Sequence, residues 1–236
     1  ENGDSSGWIE IFNPGPTAVN LAGWTLSNDS NDLRMWVFPA RSLAANSRLY
    51  LFASGKDRKP TSGNLHTNFE LSKGEGFLAL SAPESSIPVF SYNPYPVQRY
   101  DYSYGIQSGG GFRYFARIGT GTDTRPGSAN PTSTLTTVTP APVASVSRGI
   151  FNQPFAVTLS CADSSATIRY TLDGSEPLAS STAYSQPLAV TGTTILRMAA
   201  FGANSVPSES ITHSYIVTEQ VIGQPSPPYD NPALST

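Results

Sequence analysis

Apolar residues in this chain recur at every second position in short runs. Nowhere do they hold the 3.6-residue spacing of a helix over three turns. Ile9 and Ile11 alternate with Trp8, Glu10 and Phe12. Phe155, Val157, Leu159 and Cys161 face away from Thr158 and Ser160. Ile168, Tyr170 and Leu172 share a face against Arg169, Thr171 and Asp173. The pattern predicts strands over 8–13, 18–21, 24–27, 34–38, 47–53, 65–71, 76–81, 88–92, 97–102 and 112–116. Turn formers separate them at Asn13-Pro14-Gly15-Pro16, at 28–32, at Ser54-Gly55 and at Lys73-Gly74. Strands so short and so evenly spaced predict an all-β sandwich or barrel.

Aromatic residues then vanish between 128 and 142, and 131–140 is rich in Pro and Thr. This stretch reads as a linker. Roughly ten proline-stiffened residues at about 3.1 Å each span some 30 Å, a hinge unless Leu135 and Val138 pack onto one side. Strands resume over 143–146, 155–161, 167–172, 183–184, 188–190, 194–201 and 212–217. Within them Tyr170-Thr171-Leu172-Asp173-Gly174-Ser175-Glu176-Pro177 is a strand that ends in an Asp-Gly turn, with Pro177 fixing the exit. The expected organisation is a domain over 1–130, a linker over 131–140, a second domain over 141–218 and a proline-rich tail over 219–236. That tail is expected to lead into a further domain, and the opening Glu1-Asn2-Gly3-Asp4 is expected to be the interior of a longer chain.

Composition narrows the function classes. Of 236 residues 13% are charged, about half the usual share, and the net charge is −3. No basic field exists to attract a phosphate backbone, so no nucleic-acid partner is expected. No run of about 18 apolar residues is present to span a membrane as a helix. The single cysteine, Cys161, cannot form an intrachain disulfide and is expected to be a small buried apolar side chain.

Catalytic constellations are poor. His66 and His213 fall in different halves and are expected on strand surfaces. Gly109-Gly110-Gly111 and Gly119-Thr120-Gly121 lack the following helix that a phosphate cradle needs. The carboxylate pairs open to a glycosidase are Glu10 with Asp4, and Asp29 with Asp32. Asp29 and Asp32 are expected simply as turn formers. With Asn28 and Asn31 they supply too few oxygens for calcium, which takes about six to eight, unless Asp4 or Asp57 joins. Glu10 is expected to pair with an arginine such as Arg34 or Arg48. The stretch 90–115 crowds Phe90, Tyr92, Tyr95, Tyr100, Tyr102, Tyr104, Phe112, Tyr114 and Phe115. Aromatic rings offer rigid amphipathic contact area. Tyr92, Tyr95 and Tyr100, which flank prolines in a loop, are the candidate ligand or partner surface.

Two family resemblances follow. Trp8-Ile9-Glu10-Ile11-Phe12-Asn13 and Val19-Asn20-Leu21-Ala22-Gly23-Trp24-Thr25-Leu26-Ser27 resemble the opening of the lamin tail domain. Gly76-Phe77-Leu78-Ala79-Leu80, Asp101-Tyr102-Ser103-Tyr104-Gly105 and Pro126-Gly127-Ser128-Ala129-Asn130 extend that likeness to about residue 130. The family usually opens with one more apolar strand, which is missing ahead of Asp4, and an edge left bare invites association. The Tyr170–Pro177 run resembles the C-terminal domain of chitobiases and β-hexosaminidases. So do Pro154–Ser160, Thr193–Arg197 and His213-Ser214-Tyr215. These resemblances imply two immunoglobulin-like or fibronectin-like sandwiches with no catalytic residues and no cofactor. They imply a structural, spacing or protein-interaction role in a larger secreted or cell-surface bacterial protein, with neighbouring domains of the same polypeptide, surface proteins or polysaccharide as partners. The rival expectation is a carbohydrate-binding accessory module.

Overall fold

The structure, a computed structural model, describes residues 6–116 and 126–218. The chain divides into two compact units, Glu1–Ser133 and Thr134–Thr236. The first holds β1 (Gly7–Asn13), β2 (Val19–Asn20), β3 (Thr25–Ser27), β4 (Trp36–Val37) and β5 (Ser42–Leu43). It continues with β6 (Ser47–Ala53), β7 (Gly76–Ser81), β8 (Phe90–Tyr95), β9 (Tyr102–Ile106) and β10 (Phe112–Ala116). One layer is the antiparallel pair β1–β6. The other is a four-stranded sheet in the order β4-β3-β7-β8. Between them lie Ile9 and Leu51, paired in register, together with Leu26, Trp36, Phe38, Leu43, Leu65 and Phe69. Trp36 is fully buried and meets Phe38 edge-on at 4.7 Å. Its indole N–H donates to Asp57 at the rim, 3.0 Å away.

Turn chemistry fixes the way in. Asn13 ends β1 with a buried amide that donates to the carbonyls of Thr17, Leu43 and Ala44 and accepts from Gly15 N–H. One side chain thus satisfies the backbone of the Asn-Pro-Gly-Pro turn and of the loop after β5.

The second unit holds β11 (Thr137–Val138), β12 (Val143–Ala144), β13 (Gly149–Phe151), β14 (Phe155–Val157), β15 (Leu159–Ser160) and β16 (Thr167–Thr171). It closes with β17 (Thr182–Ala183), β18 (Leu188–Val190), β19 (Thr194–Phe201), β20 (Ser205–Val206) and β21 (Ile211–Val217). A five-stranded sheet in the order β13-β21-β19-β16-β17 faces the pairs β14–β18 and β12–β15. Val157, Leu159, Ile168, Leu188, Val190, Leu196, Met198, Tyr215 and Val217 fill the space between. The Tyr215 hydroxyl donates to Val146 O at 2.7 Å, so its one polar atom is paired at the edge of the core. β13 runs parallel to β21, and β11 runs parallel to β20.

Two strand expectations meet corrections. The run 65–71 is not a strand. It meets β6 through isolated bridges, Phe52 to His66 and Ser54 to Glu70, with Leu65, His66 and Thr67 all buried. The strand expected over 97–102 begins at Tyr102, since Asp101 adopts a left-handed φ of 62° that ends an extended run. The linker stretch is not free of contacts: the division between units falls inside it. Ser133 Oγ donates to Tyr114 O in the first unit. In the second, Thr136 N–H donates to Asn204 O and Thr139 N–H to Val206 O, and Thr139 is buried. The tail over 219–236, Asp4 and Gly119-Thr120-Gly121 lie outside the described residues.

Replacing Trp36 by Ala should destabilise the first unit by about 3–5 kcal/mol, through lost transfer and an unfilled cavity. Urea unfolding followed by the fluorescence of Trp8 and Trp24 reads that unit alone, because every tryptophan lies in it. A shift below about 1 kcal/mol would contradict this placement of the core.

Candidate functional site

The aromatic stretch divides by strand alternation. Phe90 and Tyr92 project from one face of β8, while Tyr104, Phe112 and Tyr114 project from the hairpin β9–β10, where Tyr114 is paired with Tyr104. The rings meet. Tyr92 lies 5.0 Å from Phe90, 5.3 Å from Phe112 and 5.8 Å from Tyr104. Tyr104 stacks on Phe112 at 5.9 Å and touches Tyr114 at 4.9 Å. The buried Tyr114 donates its hydroxyl to Val97 O at 2.7 Å. The cluster therefore docks the hairpin on β8, a packing role first.

Tyr92, Tyr95 and Tyr100 are not brought together as a row. Tyr92 is half-buried within this cluster. Tyr95 is only 5% exposed, contrary to its expected place on the surface. A register shift between Gly76 and Leu78 carries it over Gly76, where a Cβ would strike its phenol, and its oxygen accepts from Ser72 N–H at 3.1 Å. Gly76 is thus required for close approach rather than for its backbone angles. Tyr100 alone is open, at 66% exposed, and its hydroxyl and ring face are both engaged by the Lys73 ammonium.

The acidic candidates are tied into turns and ion pairs. Asp29 accepts from the backbone and side-chain amides of Asn31, at 2.8 and 3.1 Å, and Asp32 accepts from Arg34 N–H. Asp57, which would have to join them for calcium, instead holds Trp36 and bridges to Lys59 at 3.1 Å. Among the described residues no group of three or more His, Cys, Asp or Glu is placed to hold a metal ion. Glu10 pairs with Arg48 at 3.1 Å and accepts from Gly127 N–H at 2.6 Å, fastening the closing segment to β1.

His66 is not on a strand surface. It is 3% exposed, stacks on Phe52, and shares a 2.9 Å hydrogen bond with the buried Ser54 hydroxyl. A serine and a histidine in contact are the start of a nucleophile pair, but both are sealed from substrate. His213 is half-buried beside Tyr215. Cys161 is half-buried rather than buried, and its Sγ–H donates to Pro140 O.

The Asp-Gly turn after β16 is built with unusual redundancy. Asp173 accepts from both the N–H and the hydroxyl of Ser175, and this pairing holds its carboxyl below the usual range. Gly174 sits at φ 82°, open to glycine at no cost. Arg197 on β19 donates to Gly174 O and pairs with Glu176, which also accepts from Ser210. The motif is thereby an anchor that pins a turn to the sheet.

Two β-sandwich modules, with the candidate acids Glu10, Asp29, Asp32, Asp57 and Glu176 tied into turns and ion pairs, are what this geometry defines. Residues 1–93 match the family model of the Lamin Tail Domain, and residues 146–212 match that of the Chitobiase/beta-hexosaminidase C-terminal domain. The two matches fall in that order along an all-β chain, as the sequence resemblances implied. The first match ends inside β8, short of residue 130 to which the likeness was read. Neither a curated protein nor a solved structure matches the chain.

Replacing Tyr95 by Ala should cost about 3–5 kcal/mol of stability in the first unit, measured by urea unfolding. An unchanged midpoint would return Tyr95 to the surface. The phenols give a second test. Burial, with Tyr104 adding to it, raises the Tyr92 phenol above its ordinary value, and burial first and Tyr104 second push that of Tyr114 up to about 12. The folded state favours the neutral phenols, so their contribution is complete below about pH 10, where the unfolded chain begins to ionise. It is lost as pH rises towards about 12. Unfolding free energy should therefore fall between these limits, and less steeply in Tyr114→Phe; equal slopes would contradict the assignment.

Proposed function

We propose that the chain is a non-catalytic spacing and presentation segment of a larger secreted or cell-surface bacterial protein, whose chemistry is carried by neighbouring domains of the same polypeptide. The observation that supports this most is the fate of the reactive side chains. Asp29, Asp32, Asp57, Glu10 and Glu176 serve turns and ion pairs, and the Ser54–His66 pair is sealed inside the fold. The match to a chitobiase-type domain favours an extracellular setting, and no helix among the described residues is long and apolar enough to cross a membrane.

Carbohydrate binding is the second reading, favoured by the flank of Phe112, 39% exposed beside Tyr92 and Tyr104. Aromatic flanks of this kind suit the apolar face of a sugar ring.

Incubating the chain with panels of glycosides and phosphoesters should give hydrolysis equal to the buffer blank. Turnover that a single substitution at Glu10, Asp29 or Asp32 abolishes would overturn the proposal. In parallel, a chitin pull-down or glycan array giving retention that Phe112→Ser removes would replace spacing by sugar binding.

A further inference from the structure

The second unit pairs the two ends of its own chain in parallel. Its first strand, β11, lies parallel to β20, with Thr137 opposite Ser205 and Val138 opposite Val206. Thr136 N–H to Asn204 O and Thr139 N–H to Val206 O extend this contact by one residue each way. The Thr139 hydroxyl, itself buried, bonds Ser205 Oγ at 2.6 Å and accepts from Gly202 N–H. The next contact repeats the arrangement. β13 lies parallel to the last described strand, β21, with Gly149, Ile150 and Phe151 opposite Tyr215, Ile216 and Val217. Thr218 Oγ1 donates to Phe151 O just beyond. Phe151 packs on Phe155 at 4.2 Å and on Tyr215 at 6.0 Å, so the patch is backed by the core.

Direction decides how such pairs carry load. Tension on a chain pulls an early strand towards its N-terminal end and a late strand towards its C-terminal end. When the two strands are antiparallel neighbours joined at one end, the ladder opens bond by bond. When they are parallel, as here, the pull runs along the strands in opposite senses, and every bond of the patch is strained at once. Each bond contributes only about 1 kcal/mol to stability, yet simultaneous loading makes the patch yield as a unit.

From this we infer that the second unit is a force-bearing module: β11–β20 and β13–β21 act in series as a shear clamp against tension applied through the chain ends. The inference gives the spacing role a mechanical content, and it is tested independently of that role. A chain whose two ends are held by different bodies is the setting in which it operates.

Single-molecule stretching of the full chain by its ends tests the clamp. The second unit is recognised by its length, since residues 134–218 release roughly 300 Å of extended chain, less than the first unit. Two comparisons decide. Ile150→Pro removes an N–H from an edge strand at a site 71% exposed, so no core packing is lost. It should lower the rupture force at least about twofold while moving the urea midpoint little. In the second, a Cys161→Ser background carries Ser180→Cys, and the chain is pulled from position 180 and its C-terminal end. This peels the two-residue edge strand β17 and should rupture the unit at about half the end-to-end force or less. Equal forces in the two geometries would overturn the clamp, even if Ile150→Pro fails to fold. So would an Ile150→Pro unit that folds and ruptures at the parental force.

Discussion

Strand side chains alternate between two faces, and each unit depends on a second layer to cover the row turned inward. In the first unit Ile9 and Leu51 are useless unless Leu26 and Trp36 arrive from the facing sheet. In the second, Val157 and Val190 need Leu196, Met198 and Tyr215. Fully burying one such side chain contributes roughly 1.5–3 kcal/mol, so a layer of them outweighs any single ion pair on the surface. With few charges in the chain, the polar side chains that remain are used where layers cannot help, at strand ends and turns. Asn13 and Asp173 do this work in the two units, each satisfying several donors or acceptors that a bare turn would leave unpaired.

Strand positions were legible where alternation was clean. The runs through Ile9 and Ile11 and through Thr194–Phe201 were assigned within a residue or two, and the all-β class was legible, whereas the run expected over 155–161 divides at Thr158 into β14 and β15, which pair with different strands. Legibility failed where tertiary burial overrode the period. Leu65-His66-Thr67 reads as strand from composition, but the segment makes only isolated bridges to β6 while all three side chains turn inside. It failed again at Asp101, whose left-handed angle no pattern of polarity announces. The Pro/Thr-rich stretch is held in a way that no apolar pattern marks. Thr136–Thr139 is poor in apolar residues because it is held by backbone bonds and one buried hydroxyl, not by a hydrophobic row.

The candidate surface was legible only as a crowd of rings. Sequence spacing could not tell which rings meet, because that depends on a register shift beside Gly76 and on a hairpin folding back over β8. Tyr92, Tyr95 and Tyr100 are neighbours in the chain but have three different surroundings: an aromatic cluster, a sealed seat against Ser72, and an open stack with Lys73.

The guanidinium groups that fasten the second unit's turns have a consequence for resistance to proteolysis. Of its arginines, Arg197 is bound to Gly174 O and Glu176 and Arg169 to Ser181 O, both within strands of the central sheet, and the unit has no lysine. Arg148, exposed in the loop before β13, is left as the one accessible cleavage point for a trypsin-like protease among the described residues of that unit. The same bonds that hold the turn in place also keep the backbone beside two of its three basic residues out of a protease's reach.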